Sequence, residues 1–116
     1  MNLLAAALVG LVAALHLSFL VLEMFCWTTP TGRRVFGLDP DFAERSRALA
    51  ANQGLYNGFL AAGLVWGLVS GRTDVRVFFL VCVVVAGAYG AATVNRRILV
   101  VQAVPALLAL GAVALS

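Results

Sequence analysis

The hydrophobic positions of this chain fall into four long runs that contain few or no charges. The runs cover residues 3–27, 49–69, 77–95 and 98–115. Each is close to the roughly 20 residues that an α-helix needs to cross the hydrocarbon of a bilayer. The pattern predicts an all-α integral membrane protein in which four transmembrane helices form an antiparallel bundle.

The second helix is expected to begin before its membrane part. Asp39 and Pro40 form a helix-start signal, because aspartate caps free N–H groups and proline suits the first helical position. The helix then covers residues 40–69 and enters the membrane near Leu49. The other connections are short, so consecutive helices should pair antiparallel. Residues 1–116 are thus predicted to form a single four-helix domain.

Composition and charge add a location and a topology. Hydrophobic residues make up 63% of the chain and the mean hydropathy is +1.02. Two arginines lie between the second and third helices, and the other six lie on the opposite side: Arg33, Arg34, Arg45, Arg47, Arg96 and Arg97. The predicted location is a bacterial inner (plasma) membrane. Since basic loops stay in the cytoplasm, both termini are predicted to lie on the outer side of that membrane.

The same residues exclude several kinds of site. Cys26 and Cys82 are predicted at opposite membrane faces and cannot form a disulfide within one chain. With one histidine and no CxxC motif, we expect no metal site. Topology accounts for the arginines, so no nucleic-acid partner is expected. No residue pattern identifies a cofactor.

Small residues recur at the spacing used between membrane helices. They are Gly54, Gly58 and Ala62, then Gly63, Gly67 and Gly71, and finally Gly87 and Ala91. Four short helices offer little interior, so we expect some of these faces to lie between protomers of a homo-oligomer.

A polar stripe interrupts the second membrane run. Asn52 and Tyr56 are four residues apart, as are Gln53 and Asn57, which places the four side chains along one helix face. Polar residues of the other helices are predicted at a similar depth: Glu23, Tyr89, Thr93 and Gln102. Because the outer half is almost purely apolar, the pattern predicts a pocket in the cytoplasmic half.

Glu23 is the most informative residue of this layer, because an ionised carboxylate at membrane depth costs roughly 3 kcal/mol. It is either a general acid or base, an ion ligand or the partner of a substrate amine, or a structural residue that forms a hydrogen bond or an ion pair with Arg47, Arg96 or Arg97. In an enzyme, Tyr56 would help to orient the substrate. His16 lies two turns away on the same face and is either part of a proton relay or a helix-packing residue.

The segments "EMFCWTTPTGRRVFGL", "ANQGLYNGFLAAGLVWGL", "AGAYGAATV" and "VQAVPALLAL" resemble the bacterial membrane-protein family catalogued as domain of unknown function 1304. The resemblance covers essentially the whole chain and implies four helices. It implies no reaction.

A weaker resemblance is to the membrane-associated eicosanoid and glutathione metabolism proteins, which are four-helix trimers with glutathione sites between protomers. It rests on topology, on Arg47 and Asn52, and on Tyr89, Arg96 and Arg97. The glutamate that follows the asparagine in that family is absent here. The resemblance implies a trimer and a glutathione-transferase-like fold.

We therefore expect a small polytopic membrane protein that binds a small amphipathic or anionic molecule, with its enzymatic status open. Arg96 and Arg97 are either headgroup anchors or a clamp for a negative group on that molecule. The alternatives are a transporter or channel subunit, and a non-catalytic assembly or stability partner whose polar layer only joins helices.

Overall fold

The computed structural model describes residues 1–116 and consists of helices joined by short connections. The elements are α1 (Leu3–Phe25), α2 (Pro30–Phe36), α3 (Pro40–Ser70), α4 (Thr73–Thr93), a π-helical segment (Leu99–Ala103) and α5 (Val104–Ala114). The predicted all-α class is confirmed.

The helix-start signal at Asp39 works as the sequence indicates. Asp39 Oδ1 accepts a hydrogen bond of 2.8 Å from the backbone N–H of Phe42, and α3 begins at Pro40. The third apolar run, predicted as 77–95, corresponds to α4 at Thr73–Thr93. Its first turn contains Asp74 and follows Arg72, so hydropathy alone placed the start of α4 too late.

The connection between α1 and α3 contains a short helix that the hydrophobic pattern did not indicate. Thr29 caps α2, its hydroxyl oxygen accepting a hydrogen bond of 3.2 Å from Gly32 N–H, and Pro30 takes the first helical position. Gly37 ends the helix at a φ of 67°, a left-handed conformation that glycine adopts without strain. Thr29 and Pro30 repeat the signal at Asp39 and Pro40.

The last predicted helix is interrupted before Pro105. Between Leu99 and Ala103 the backbone widens into a π-helix, and the Val104 N–H bonds the Leu99 carbonyl. Proline has no N–H to continue the normal ladder, so the change of helix type accommodates it.

Residues 1–15 and 60–116 form one compact unit. Four helices contribute to its core, which contains Ala5, Val9, Val12, Ala13, Leu64, Leu80, Val83, Ala106, Ala109 and Val113. Gly63 faces Phe79 and Gly67 faces Arg76, so α3 and α4 run antiparallel there. The second unit comprises residues 16–59.

Two helices, α1 and α4, combine the length and the apolar character needed to cross a membrane. Only 28% of the most apolar stretch of each is buried, whereas the core helix of a soluble protein is mostly buried. The other two predicted spans differ. The polar residues Asn52, Gln53 and Asn57 lower the apolar character of α3, and the apolar helix Leu99–Leu115 is shorter.

Candidate functional site

The candidate site lies where α1 and α3 approach each other within residues 16–59. Two glycines permit the approach: a Cβ on Gly54 would lie 2.7 Å from Met24 Cγ, and one on Gly58 would lie 2.6 Å from Leu20 Cδ1. Both distances are shorter than carbon atoms tolerate. At Gly54 the backbone carbonyl oxygen of Leu20 would also lie 3.2 Å away, so glycine suits that position, whereas at Gly58 the end of the Leu20 side chain could turn aside. The small-residue pattern is thus used at Gly54 and Gly58 for contacts within the chain.

This close approach brings together two of the predicted site residues. Asn57 Nδ2 donates a hydrogen bond of 2.5 Å to Glu23 Oε1. Asn57 is 6% exposed, whereas Glu23 is partly accessible. A carboxyl group with one oxygen held by a buried amide has a fixed position and still retains accessible surface.

The partner of Glu23 is a neutral amide and not one of the arginines considered from the sequence. Arg47 lies within the same unit but pairs with Glu44, at 3.7 Å. An amide dipole compensates a negative charge less than a guanidinium does, because it carries no net charge. A further hydrogen-bond donor would therefore still stabilise a negative charge on Glu23.

The polar stripe of α3 divides between two sides of the helix. Asn57 is buried, but Asn52 and Gln53 are exposed and Tyr56 is 54% exposed. The Tyr56 ring meets Phe59 edge to face, with 5.8 Å between centroids. Of the four residues, Asn57 is thus the one placed against Glu23.

His16 occupies a core position. Its side chain is completely buried and meets the Phe19 ring edge to face at 5.1 Å between centroids. It is also engaged in a further interaction. A histidine in these surroundings is held in place by packing and is closed to a ligand arriving from outside.

The remaining predicted residues belong to the other unit. Tyr89 is 72% exposed, and Arg96 and Arg97 are exposed as well. The Thr93 hydroxyl donates a hydrogen bond of 2.7 Å to the Tyr89 carbonyl within α4, so this donor is already used. Gln102 is partly buried in the π-helical segment and has an interaction of its own.

Comparison with known proteins now gives the chain a family. A family model described as a protein of unknown function, DUF1304, matches residues 10–114. The chain belongs to this family. The uncharacterized protein YpaA of Lactococcus lactis subsp. lactis (strain IL1403) is 32% identical over 114 residues, which cover 95% of this chain and 96% of the relative. No solved structure matches the chain. The DUF1304 resemblance seen in the sequence is confirmed.

Two polar contacts of this DUF1304 protein were missed by sequence reasoning. Trp27 Nε1 donates a hydrogen bond of 3.0 Å to Ser46 Oγ, which joins the end of α1 to the first turns of α3. The Trp27 ring also lies against Phe36 of α2, at 4.8 Å between centroids. Tryptophan at the end of an apolar helix was the available signal, but it does not specify the partner.

The second missed contact involves Arg76, which the charge pattern treated only as a topology signal. Arg76 is 3% exposed, and its Nε donates a hydrogen bond of 2.9 Å to the Gly67 carbonyl in the last turn of α3. Terminal carbonyls of a helix lack partners within it, so a nearby arginine is a suitable cap. Arg72 is exposed instead, and its hydrogen bond to Asp74 raises the pKa of its guanidinium.

Proposed function

We propose that this DUF1304 protein is a multi-pass protein of the bacterial plasma membrane that binds a small amphipathic molecule beside Glu23 and Asn57. One observation carries the proposal: the partly accessible Glu23 side chain is fixed by the buried Asn57 amide in a helix whose exposed residues are otherwise apolar except for Ser18. Ionisable groups inside membrane segments are costly, and they commonly mark sites of ligand or proton handling.

The chemistry of the pair indicates which part of a ligand would bind there. Carboxyl oxygens accept hydrogen bonds, so the molecule would present a hydroxyl or amine to Glu23. Its apolar part would lie along partly exposed apolar side chains on the same face of α1 as Glu23, such as Phe19, one turn before it.

The proposed topology has four membrane-crossing helices and both termini outside. It is supported by the exposed apolar surfaces of α1 and α4 and by the distribution of arginine. Arg72 and Arg76 are the two arginines near the connection between α3 and α4, which is outside in this topology. Six arginines remain on the cytoplasmic side in this topology.

Small molecules retained by the purified protein test the proposed site. Wild type, Glu23→Gln and Glu44→Gln would be purified in the same mild detergent, extracted with organic solvent and compared by mass spectrometry. Gln keeps an acceptor for Asn57 but removes the acid, and Glu44 is an exposed carboxyl of α3 outside the site. We expect Glu23→Gln to lose a compound that Glu44→Gln retains. Identical profiles for the three proteins would contradict ligand binding at Glu23.

A helix-locking role is the second candidate, and the burial of Asn57 favours it. In that case the Glu23 and Asn57 pair joins α1 to α3 and binds nothing else. The Glu23→Gln protein would then retain the same compounds as wild type, while Asn57→Leu would lower the unfolding midpoint. Asn57→Leu lowers the midpoint in either role, so the compounds retained by Glu23→Gln separate the two.

We also propose that the protein is a homo-oligomer, with a trimer favoured. Large apolar side chains remain exposed on several helices, including Phe78 and Val85 of α4. The interface would use such faces, since Gly54, Gly58, Gly63 and Gly67 already make contacts within the chain. Size-exclusion chromatography with light scattering, corrected for detergent, should give three times the protomer mass of 12.2 kDa.

A further inference from the structure

The connection between α1 and α3 contains two arginines that take part in no ion pair. Both lie in the last turn of α2: Arg33 and Arg34. The other two arginines of this unit are paired, Arg45 with Asp41 at 3.0 Å and Arg47 with Glu44 at 3.7 Å. The uncompensated positive charge of residues 16–59 is therefore concentrated on α2.

Arg33 has an unsatisfied donor that the fold itself does not explain. Its Nε is buried and has no hydrogen-bond partner. Burying a charged donor without a partner is costly. The Nε is closed to an acceptor from outside the chain, but Arg33 as a whole is partly exposed, so its terminal guanidinium nitrogens are the donors open to such an acceptor. Guanidinium groups present a planar fork of donors that matches the oxygens of a phosphate.

The surroundings of the two arginines are those of a membrane interface. Only a few residues separate the end of α1 at Phe25 from the start of α2 at Pro30, so α2 lies directly beyond an apolar helix long enough to cross a bilayer. Trp27, an aromatic type enriched at the headgroup level, rests on Phe36. Val35 is 48% exposed and Phe36 is 37% exposed beside the arginines. Basic and apolar side chains exposed on one short helix are typical of interfacial segments.

We infer that α2 binds the phosphate group of an anionic phospholipid in the leaflet where α1 ends. Arg33 and Arg34 donate hydrogen bonds to the phosphate oxygens, and Val35 and Phe36 contact the upper part of the acyl chains. The inference rests on the membrane location proposed above. It is independent of any ligand at Glu23, because it uses other residues and another chemical group.

Lipid retention by the full chain tests the site directly. The protein in mild detergent would be mixed with phosphatidylglycerol or phosphatidylcholine, and the bound lipids would be counted by native mass spectrometry. We expect wild type to retain phosphatidylglycerol in preference. In the Arg33→Gln/Arg34→Gln protein, the preference for phosphatidylglycerol should fall about fivefold for each charge removed. This ratio corresponds to about 1 kcal/mol per basic residue near an anionic surface.

Two further variants keep the test decisive. Arg34→Gln alone changes an exposed side chain, so it folds normally and should show about half of the effect on a logarithmic scale. Arg45→Gln removes a nearby arginine that is already paired with Asp41 and should keep the wild-type preference. An equal loss in Arg45→Gln would show a general charge effect and overturn the site.

Three other results would also overturn it. Wild type could retain the two lipids equally, or Arg34→Gln could leave the preference intact. Inorganic phosphate could displace the lipid at the same concentration, which would identify a free anion as the ligand. Alkaline carbonate extraction of membranes containing wild type separates this inference from the proposed location: release of the protein refutes membrane insertion, whereas retention without lipid preference refutes only the α2 site.

Discussion

Asn57 donates a hydrogen bond to Glu23 across 34 residues of sequence, at 2.5 Å between Nδ2 and Oε1. The contact exists because Gly54 and Gly58 allow α1 and α3 to approach closely on either side of it. It fixes a carboxyl group at the surface of a helix that is otherwise apolar at this level. The stability of this contact and the use of the carboxyl are separate questions, and different substitutions answer them.

Replacing Asn57 by Leu should destabilise the protein by about 1 kcal/mol, the usual contribution of a hydrogen bond between membrane helices. Glu23→Gln should cost less, because the glutamine carbonyl still accepts from Asn57. Unfolding by sodium dodecyl sulfate in mixed micelles measures both. In the Glu23→Gln/Asn57→Leu protein the two losses should not add, since either change alone weakens the same bond. Strictly additive losses would show that the two residues do not interact.

A methyl group at Gly54 should be more harmful than one at Gly10. The added Cβ of Gly54→Ala meets Met24 Cγ at 2.7 Å and the Leu20 carbonyl oxygen at 3.2 Å, and overpacking of this kind costs about 1–3 kcal/mol. Gly10 has open space around the same position, so Gly10→Ala should leave stability unchanged or raise it by up to about 1 kcal/mol. The same unfolding assay compares them. Equal effects would contradict the close approach of α1 and α3.

Arg76→Met should lower stability by about 1–3 kcal/mol, because it leaves the Gly67 carbonyl without its side-chain donor. Methionine keeps most of the apolar stem that lies against Gly67, so the change reports mainly on the hydrogen bond. Arg72→Gln, in the same turn but exposed, is the matched control and should have little effect. If Arg76→Met unfolds at the wild-type midpoint, the carbonyl is satisfied in another way.

Cysteine labelling in intact cells should reveal the topology. In a Cys26→Ala/Cys82→Ala background, a membrane-impermeant maleimide should label Ser116→Cys without lysis and Thr31→Cys only after lysis. The reason is the arginine distribution, from which we propose that the connection between α1 and α3 is in the cytoplasm. The reverse pattern would place both termini inside the cell.

Much of the helical architecture follows from apolar runs and local start signals. Asp39 and Pro40 indicate where α3 begins because a cap acts through its nearest residues. The π-helical segment was harder to predict from the sequence. Pro105 indicates a break in the helix, but the type of break depends on how the backbone around Val104 reorganises. The start of α4 was misplaced because polar first turns carry no hydropathy signal.

The candidate site was predictable as a set of residue types but not as a set of contacts. Helical spacing groups Gln53 with Asn57, yet one is exposed and the other buried, because α1 covers only part of that face. Which side of α3 meets Glu23 depends on the rotation of the helix, and Gly54 and Gly58 determine that rotation through contacts with Leu20 and Met24. Arg76 shows the same limit, since charge alone does not indicate that a guanidinium caps a helix.

A structure of the protein purified in mild detergent, at a resolution that reveals molecules carried through purification, tests the binding site beside Glu23. We expect ligand-shaped density within hydrogen-bonding distance of the Glu23 carboxyl, beside Asn57. Density showing Glu23 and Asn57 bonded only to each other, with apolar side chains closing over them, would contradict the binding site and leave helix locking as their role.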